Sequence, residues 1–143
     1  MDFQELMRAR NAYPGFAKEL GIHSVSMEAG YAKMEMATTE FHRNPIGTVH
    51  GGAIFSLADT VGGLAALSRG RYVTTVSGNI NYLHAAGKAT MLIGEAREVK
   101  AGKSLGIYDV TITDENGKLI STATMTYYYL GKVGEPATYG YKP

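Results

Sequence analysis

Residues 52–68 read GAIFSLADTVGGLAALS, a helix with apolar or small residues on nearly every side and one charge, Asp59, near its middle. Gly70 follows in the position that ends helices in the left-handed conformation. A helix apolar on so many sides cannot lie on a sheet with one face in water; it has to be wrapped. The second half of the chain supplies the wrapping. Over 73–83, Val76, Ile80 and Tyr82 alternate with Thr75, Ser77, Asn79 and Asn81, which predicts a strand with two unlike faces. Strands are also predicted over 89–100, over 105–113 with Tyr108, Val110 and Ile112 on one side, and over 119–130 with Ala123, Met125 and Tyr127 set against threonines. Asn116-Gly117 joins the last two as a tight hairpin. Ahead of the helix, Glu28-Ala29-Gly30 turns between two further strands, the second alternating Ala32, Met34 and Met36 with Lys33 and Glu35. An opening helix over 3–10 is broken by Pro14 and Gly15, and a short helical turn precedes Gly21. Residues 38–50 are polar, hold Pro45 and Gly47, and read as a loop. The expected architecture is α+β: a strongly curved antiparallel sheet closing around one central helix.

At 143 residues the chain is one domain, with its core over 21–130 and a glycine- and proline-rich tail over 131–143. A net charge of +1, with no clustered Lys or Arg, offers no field for nucleic acid. The absence of cysteine excludes disulfides, thiolate metal sites and cysteine nucleophiles. The opening MDFQELMRAR is charged rather than signal-like, and the apolar helix is short, glycine-rich and interrupted by Asp59, so no membrane span is expected. A cytoplasmic protein is the expectation.

An ionised aspartate on such a helix is costly unless it is paired, hydrated or used. Asp59 either satisfies a backbone group or a lysine, or lines a cavity as base or nucleophile. His50-Gly51-Gly52 opens the same helix, where free N–H groups and the positive dipole end favour negative charge. Glycine there lets a ligand approach the backbone, so a carbonyl oxygen becoming an oxyanion is suited to the place; glycines at a helix start also serve tight turns. Gly51 and Asp59 stand eight residues apart, about 12 Å along a helix. Two groups so far apart cannot serve one carbonyl. If both are catalytic, a second copy of the chain supplies one of them.

The run N-P-I-G-T-V-H-G-G-A-I-F-S-L-A-D, with its Asn44…Gly47…His50-Gly51-Gly52…Asp59 spacing, resembles the signature of hotdog-fold acyl-CoA thioesterases of the phenylacetic-acid-degradation type. The resemblance extends through NINYLHAAGKA and AGKSLGIYDVTITDENGKLISTATMTYYYL, covering about 21–130. It implies a curved sheet around a long helix, subunits paired into one continuous sheet, and often a dimer of dimers. It implies hydrolysis of acyl-CoA to acid and coenzyme A, with the Gly51 N–H polarising the carbonyl and Asp59 of the partner subunit attacking it or activating water. Asn44 then places the nucleophile or thioester, His50 orients the loop or assists at the sulfur, and Thr75 holds the water, with Thr74 and Ser77 as neighbours able to take that place. Aryl or medium-chain acyl groups are favoured. Gly52, Phe55, Val61, Ser77 and His84 are the substrate-binding candidates, and Phe55, Leu57, Val61 and Leu64 would set tunnel length. No metal or redox cofactor is implied, coenzyme A being part of the substrate.

The other motifs have plainer readings. His23, His42, His50 and His84 lack metal-ligand spacing. Ser56 and Ser68 lack the context of a nucleophile elbow. The helix-opening glycines are no dinucleotide fingerprint, and Tyr127, Tyr128 and Tyr129 read as strand-pairing side chains. Two other classes share the fold: a hydratase or dehydratase, and a noncatalytic acyl-CoA-binding module. The first would place its His and acid differently; the second would be expected to lack the carboxylate.

Overall fold

The computed structural model describes residues 1–135; the part of the tail from 136 onward lies outside the described residues. In chain order come α1 (Phe3–Ala12), α2 (Phe16–Glu19), β1 (Ile22–Glu28), β2 (Tyr31–Ala37), a 3-10 turn (Glu40–His42), α3 (Gly51–Leu67), β3 (Arg71–Tyr82), β4 (Met91–Ala101), β5 (Leu105–Asp114) and β6 (Leu119–Lys132). The six strands form one sheet in the order β1-β2-β4-β5-β6-β3, antiparallel throughout, and α3 packs against it. This is the α+β arrangement that the apolar helix demanded. No helix among the described residues is long and apolar enough to cross a membrane.

The face of α3 carrying Ile54, Leu57, Ala58, Val61, Leu64 and Ala65 is buried against Met34, Leu92, Val110, Ile112 and Met125 of the sheet. Each such large side chain contributes about 1.5–3 kcal/mol by leaving water. The wrapping is one-sided, however. Phe55, Ser56, Asp59, Thr60 and Gly63, on the other flank of α3, are only half-buried within the chain. That flank looks toward α1. Asp2 caps α1 by accepting from the Glu5 N–H (3.1 Å). Asn11 then ties the helix to β1, accepting from the Ser24 N–H at 2.7 Å and donating to the Ser24 carbonyl at 3.3 Å.

β3 departs from simple alternation in a way that matters for the site. Its register with β6 shifts between Thr75 and Ser77, leaving Val76 as the extra residue of a β-bulge, 55% exposed. Thr75 pairs with Tyr127 before the bulge and Ile80 pairs with Ala123 after it, so both face α3. The expected opposition of Thr75 to Ile80 and Tyr82 is thereby corrected: one inserted residue reverses the phase. β3 is also an edge strand of 12 residues whose outer hydrogen-bonding side has no strand beside it among the described residues. β6 runs two residues past its expected end at 130, because Lys132 pairs with Arg71 and the Val133 N–H donates to the Gly70 carbonyl at 2.9 Å.

Candidate active site

Asp59 leaves α3 on the flank away from the core. Its Oδ1 accepts from the Thr75 hydroxyl at 2.7 Å and lies 3.3 Å from the Tyr127 hydroxyl. The Tyr127 hydroxyl also donates to the Asp59 backbone carbonyl at 2.7 Å. Oδ2 has no donor among the described residues, and no cation pairs with the carboxylate there. Of the three neighbours weighed on β3, Thr75 is the one that reaches Asp59. Thr74 faces the other way, and Ser77, past the bulge, lies on the outer sheet face beside Asn79 and Thr124. Asp59 and Thr75 border a cavity of about 520 Å3 whose other walls include Leu6 and Ala9 of α1, Tyr13 just past its end, and Leu64 and Leu67 of α3. The lining is chiefly apolar, which suits a hydrocarbon or aromatic group.

The start of α3 is built differently. His50 is the N-cap, its Nδ1 accepting from the Gly52 N–H at 2.8 Å, so the ring proton sits on Nε2. Its own carbonyl takes the Ala53 and Ile54 N–H groups at 2.9 and 3.2 Å. The Gly51 N–H is left without an acceptor among the described residues, at the positive end of a helix whose first turn holds no acidic residue. Tyr82 closes over it: its hydroxyl donates to the Gly51 carbonyl at 2.8 Å, and a Cβ on residue 51 would come within 3.2 Å of its ring. Tyr82 is not among the site residues expected from the sequence, where it stands only as a strand-face residue. Its alternation with Ile80 marks the inward face, which is the available signal. Burial raises its phenol above the ordinary value.

The remaining candidates fall into three groups. Asn44 closes the turn that feeds α3, its amide donating to the Thr48 hydroxyl at 2.8 Å while its oxygen accepts from the Thr48 N–H at 3.1 Å. Phe55 packs between α3 and β3, where a Cβ on Gly78 would meet its ring at 2.8 Å. Leu64 lines the cavity. Val61 and Leu57 do not: both are fully buried on the sheet side, against Gly94 of β4, so they belong to the core rather than to this wall. His84 is exposed beyond β3, its Nδ1 2.8 Å from the Leu119 carbonyl.

Residues 46–121, more than half the chain, match the family model of the thioesterase superfamily. The chain belongs to that superfamily. Its match includes the whole of α3, with both Gly51 and Asp59. Human acyl-coenzyme A thioesterase 13 is 34% identical over 127 residues, 86% of this chain and 91% of the relative. The solved structure of the Escherichia coli PaaI protein, from the phenylacetic acid degradation operon, superposes with a TM-score of 0.85 at 28% identity, covering 91% of this chain and 94% of that one. A Streptococcus mutans protein solved with bound acetyl CoA superposes at 0.74 with 32% identity, covering 78% and 90%. The fold is the hotdog fold of the PaaI type, and the thioesterase is a thioester hydrolase.

Proposed function

We propose that this thioesterase hydrolyses aryl- or medium-chain acyl-CoA at a site shared by two chains. The observation that carries the reading is the pairing, on one helix, of an acceptor-free N–H at Gly51 with an uncapped carboxylate oxygen at Asp59. They are separated by about 12 Å, two turns of helix. A reacting carbonyl needs both within about 3 Å. A second copy, joined along the free edge of β3, would bring its Asp59 to the first chain's Gly51, and the two chains would form two equivalent sites. Homodimers, doubled to a tetramer, are the assembly that goes with this reading.

In that site the thioester oxygen accepts the Gly51 N–H. Oδ2 of Asp59 of the partner subunit takes a proton from water as the water oxygen bonds to the carbonyl carbon. The tetrahedral oxyanion is held at the helix N-terminus until the C–S bond breaks, releasing acid and the coenzyme A thiolate, which is then protonated. Alternatively Oδ2 itself attacks, and water hydrolyses the resulting anhydride. Asn44 keeps the loop before Gly51 in shape, His50 fixes the first turn, Thr75 orients the carboxylate, and Gly52 and Phe55 border the path of the thioester. The acyl group enters the cavity behind Asp59. The chemistry needs no metal or redox cofactor, and a cytoplasmic location goes with the substrate. The bound acetyl CoA of the Streptococcus mutans neighbour and the name of the human relative support coenzyme A as the thiol.

The test is thiol release from a panel of aryl and aliphatic acyl-CoA thioesters by wild type and Asp59→Asn. We expect hydrolysis by wild type and a loss on the order of a hundredfold or more in the variant, as removal of a general base gives. Turnover within a few-fold of wild type would make Asp59 structural.

A further inference from the structure

The Tyr127 side chain is 1% exposed, yet its hydroxyl does more than fill space. It donates to the Asp59 carbonyl at 2.7 Å and faces Asp59 Oδ1 at 3.3 Å. A side chain from β6 therefore engages α3 at the one turn that carries the carboxylate. Room for it comes from Gly62, where a Cβ would lie 2.3 Å from the hydroxyl oxygen. Glycine inside a helix is destabilising relative to alanine, and a Phe at 127 would fill the ring's volume without an oxygen against that notch. The ring is further fixed by an edge-on contact with Tyr108, centroids 5.8 Å apart. Burial, and then the charge of Asp59, hold the phenol well above its ordinary range, so it remains a donor at every working pH.

We propose that Tyr127 is a positioning residue for Asp59: with Thr75 it pins the backbone and Oδ1, leaving Oδ2 as the oxygen that meets the substrate. This rests on the proposed function, but the spectroscopic arm of its test does not. Replacing Tyr127 by Phe removes the hydroxyl that faces the Asp59 carbonyl and Oδ1 while the Thr75 hydroxyl stays on Oδ1.

In Tyr127→Phe, we expect kcat to fall about tenfold with KM within twofold, and the 13C carboxyl resonance of Asp59 at pH 7 to move from its wild-type position. An unmoved carboxyl resonance in the folded variant overturns the proposal, even alongside a fall in kcat, since loosened packing alone would give that. If wild type hydrolyses no thioester, the functional reading fails while the carboxyl resonance still decides Tyr127. Should the variant not fold, the Tyr127 Cζ resonance is compared at pH 7 between wild type and Asp59→Asn: a shift is expected, and coincident resonances overturn the proposal.

Discussion

Two carboxylates in this fold meet buried tyrosines, and they are treated in opposite ways. Glu98 of β4 takes Arg69, just past the end of α3, as a bidentate partner at 2.7 Å to each oxygen, and the Tyr108 hydroxyl donates to it at 3.2 Å. Tyr108 in turn lies 2.6 Å from the Tyr129 hydroxyl. Both oxygens are used up and the charge is cancelled. The hydrogen bonds from Arg69 hold the Glu98 carboxyl below the ordinary value. Asp59, two turns up the same helix, has only hydroxyls on Oδ1 and the backbone hydroxyl bond beside it. A guanidinium fork ties a carboxylate into the structure; hydroxyls on one oxygen orient it and leave the other free. The first arrangement locks the end of α3 to β4, and the second leaves a reactive edge toward a cavity.

The contrast can be broken from either side. Asp59→Asn removes the reactive edge: thiol release falls by on the order of a hundredfold or more, while a thermal melt stays close to wild type because no ion pair is lost. Thr75→Ala frees Oδ1 and is expected to lower kcat about tenfold with the fold intact; steady-state rates on one hydrolysed thioester measure it. Ala9→Phe leaves both carboxylates alone and fills the cavity from α1. Its expected effect is a drop of about five- to tenfold in kcat/KM for the longest acyl group accepted, with shorter groups spared, read from the same panel. Glu98→Gln goes to the other carboxylate. Activity at 25 °C should stay within twofold, while Tm falls by about 2–5 °C, a modest amount because Arg69 is 42% exposed. The pH dependence has a definite sign. The folded pKa of Glu98 is depressed, so its contribution is complete above the ordinary glutamate value of 4.5 and is lost as pH falls through the lower folded value. Melts of Glu98→Gln against pH should be flatter than wild type in that acid window.

Much of this was legible in the chain because period reports burial. The alternation of Ala123, Met125 and Tyr127, the Asn116-Gly117 turn and the apolar run of α3 each placed an element to within a few residues. Asp59 stood out because a charge in an apolar helix needs a reason. What could not be read depends on contacts between elements. The bulge at Val76 is one extra residue in an unremarkable strand, yet it decides that Thr75 and Ile80 share a face and that Ser77 does not. The two sides of α3 are nearly equally apolar in sequence, so nothing in its pattern assigns Val61 and Leu57 to the sheet and Leu64 also to the cavity. Tyr127 looked like one more strand residue. Its partner is the gap over Gly62, a contact between two elements that the periodicity of neither one reports.

The central claim, a site completed by two chains, has a direct test in mixed assemblies. Asn44→Ala and Asp59→Asn chains, each expected to lose most activity alone, are unfolded together, refolded, and assayed for thiol release. Mixed dimers would carry one site with both defects and one with neither. Random pairing therefore predicts recovery to about a quarter of wild-type activity per chain. No recovery, with mixed dimers shown to form, would contradict the account by placing Asn44 and Asp59 in the same chain's site.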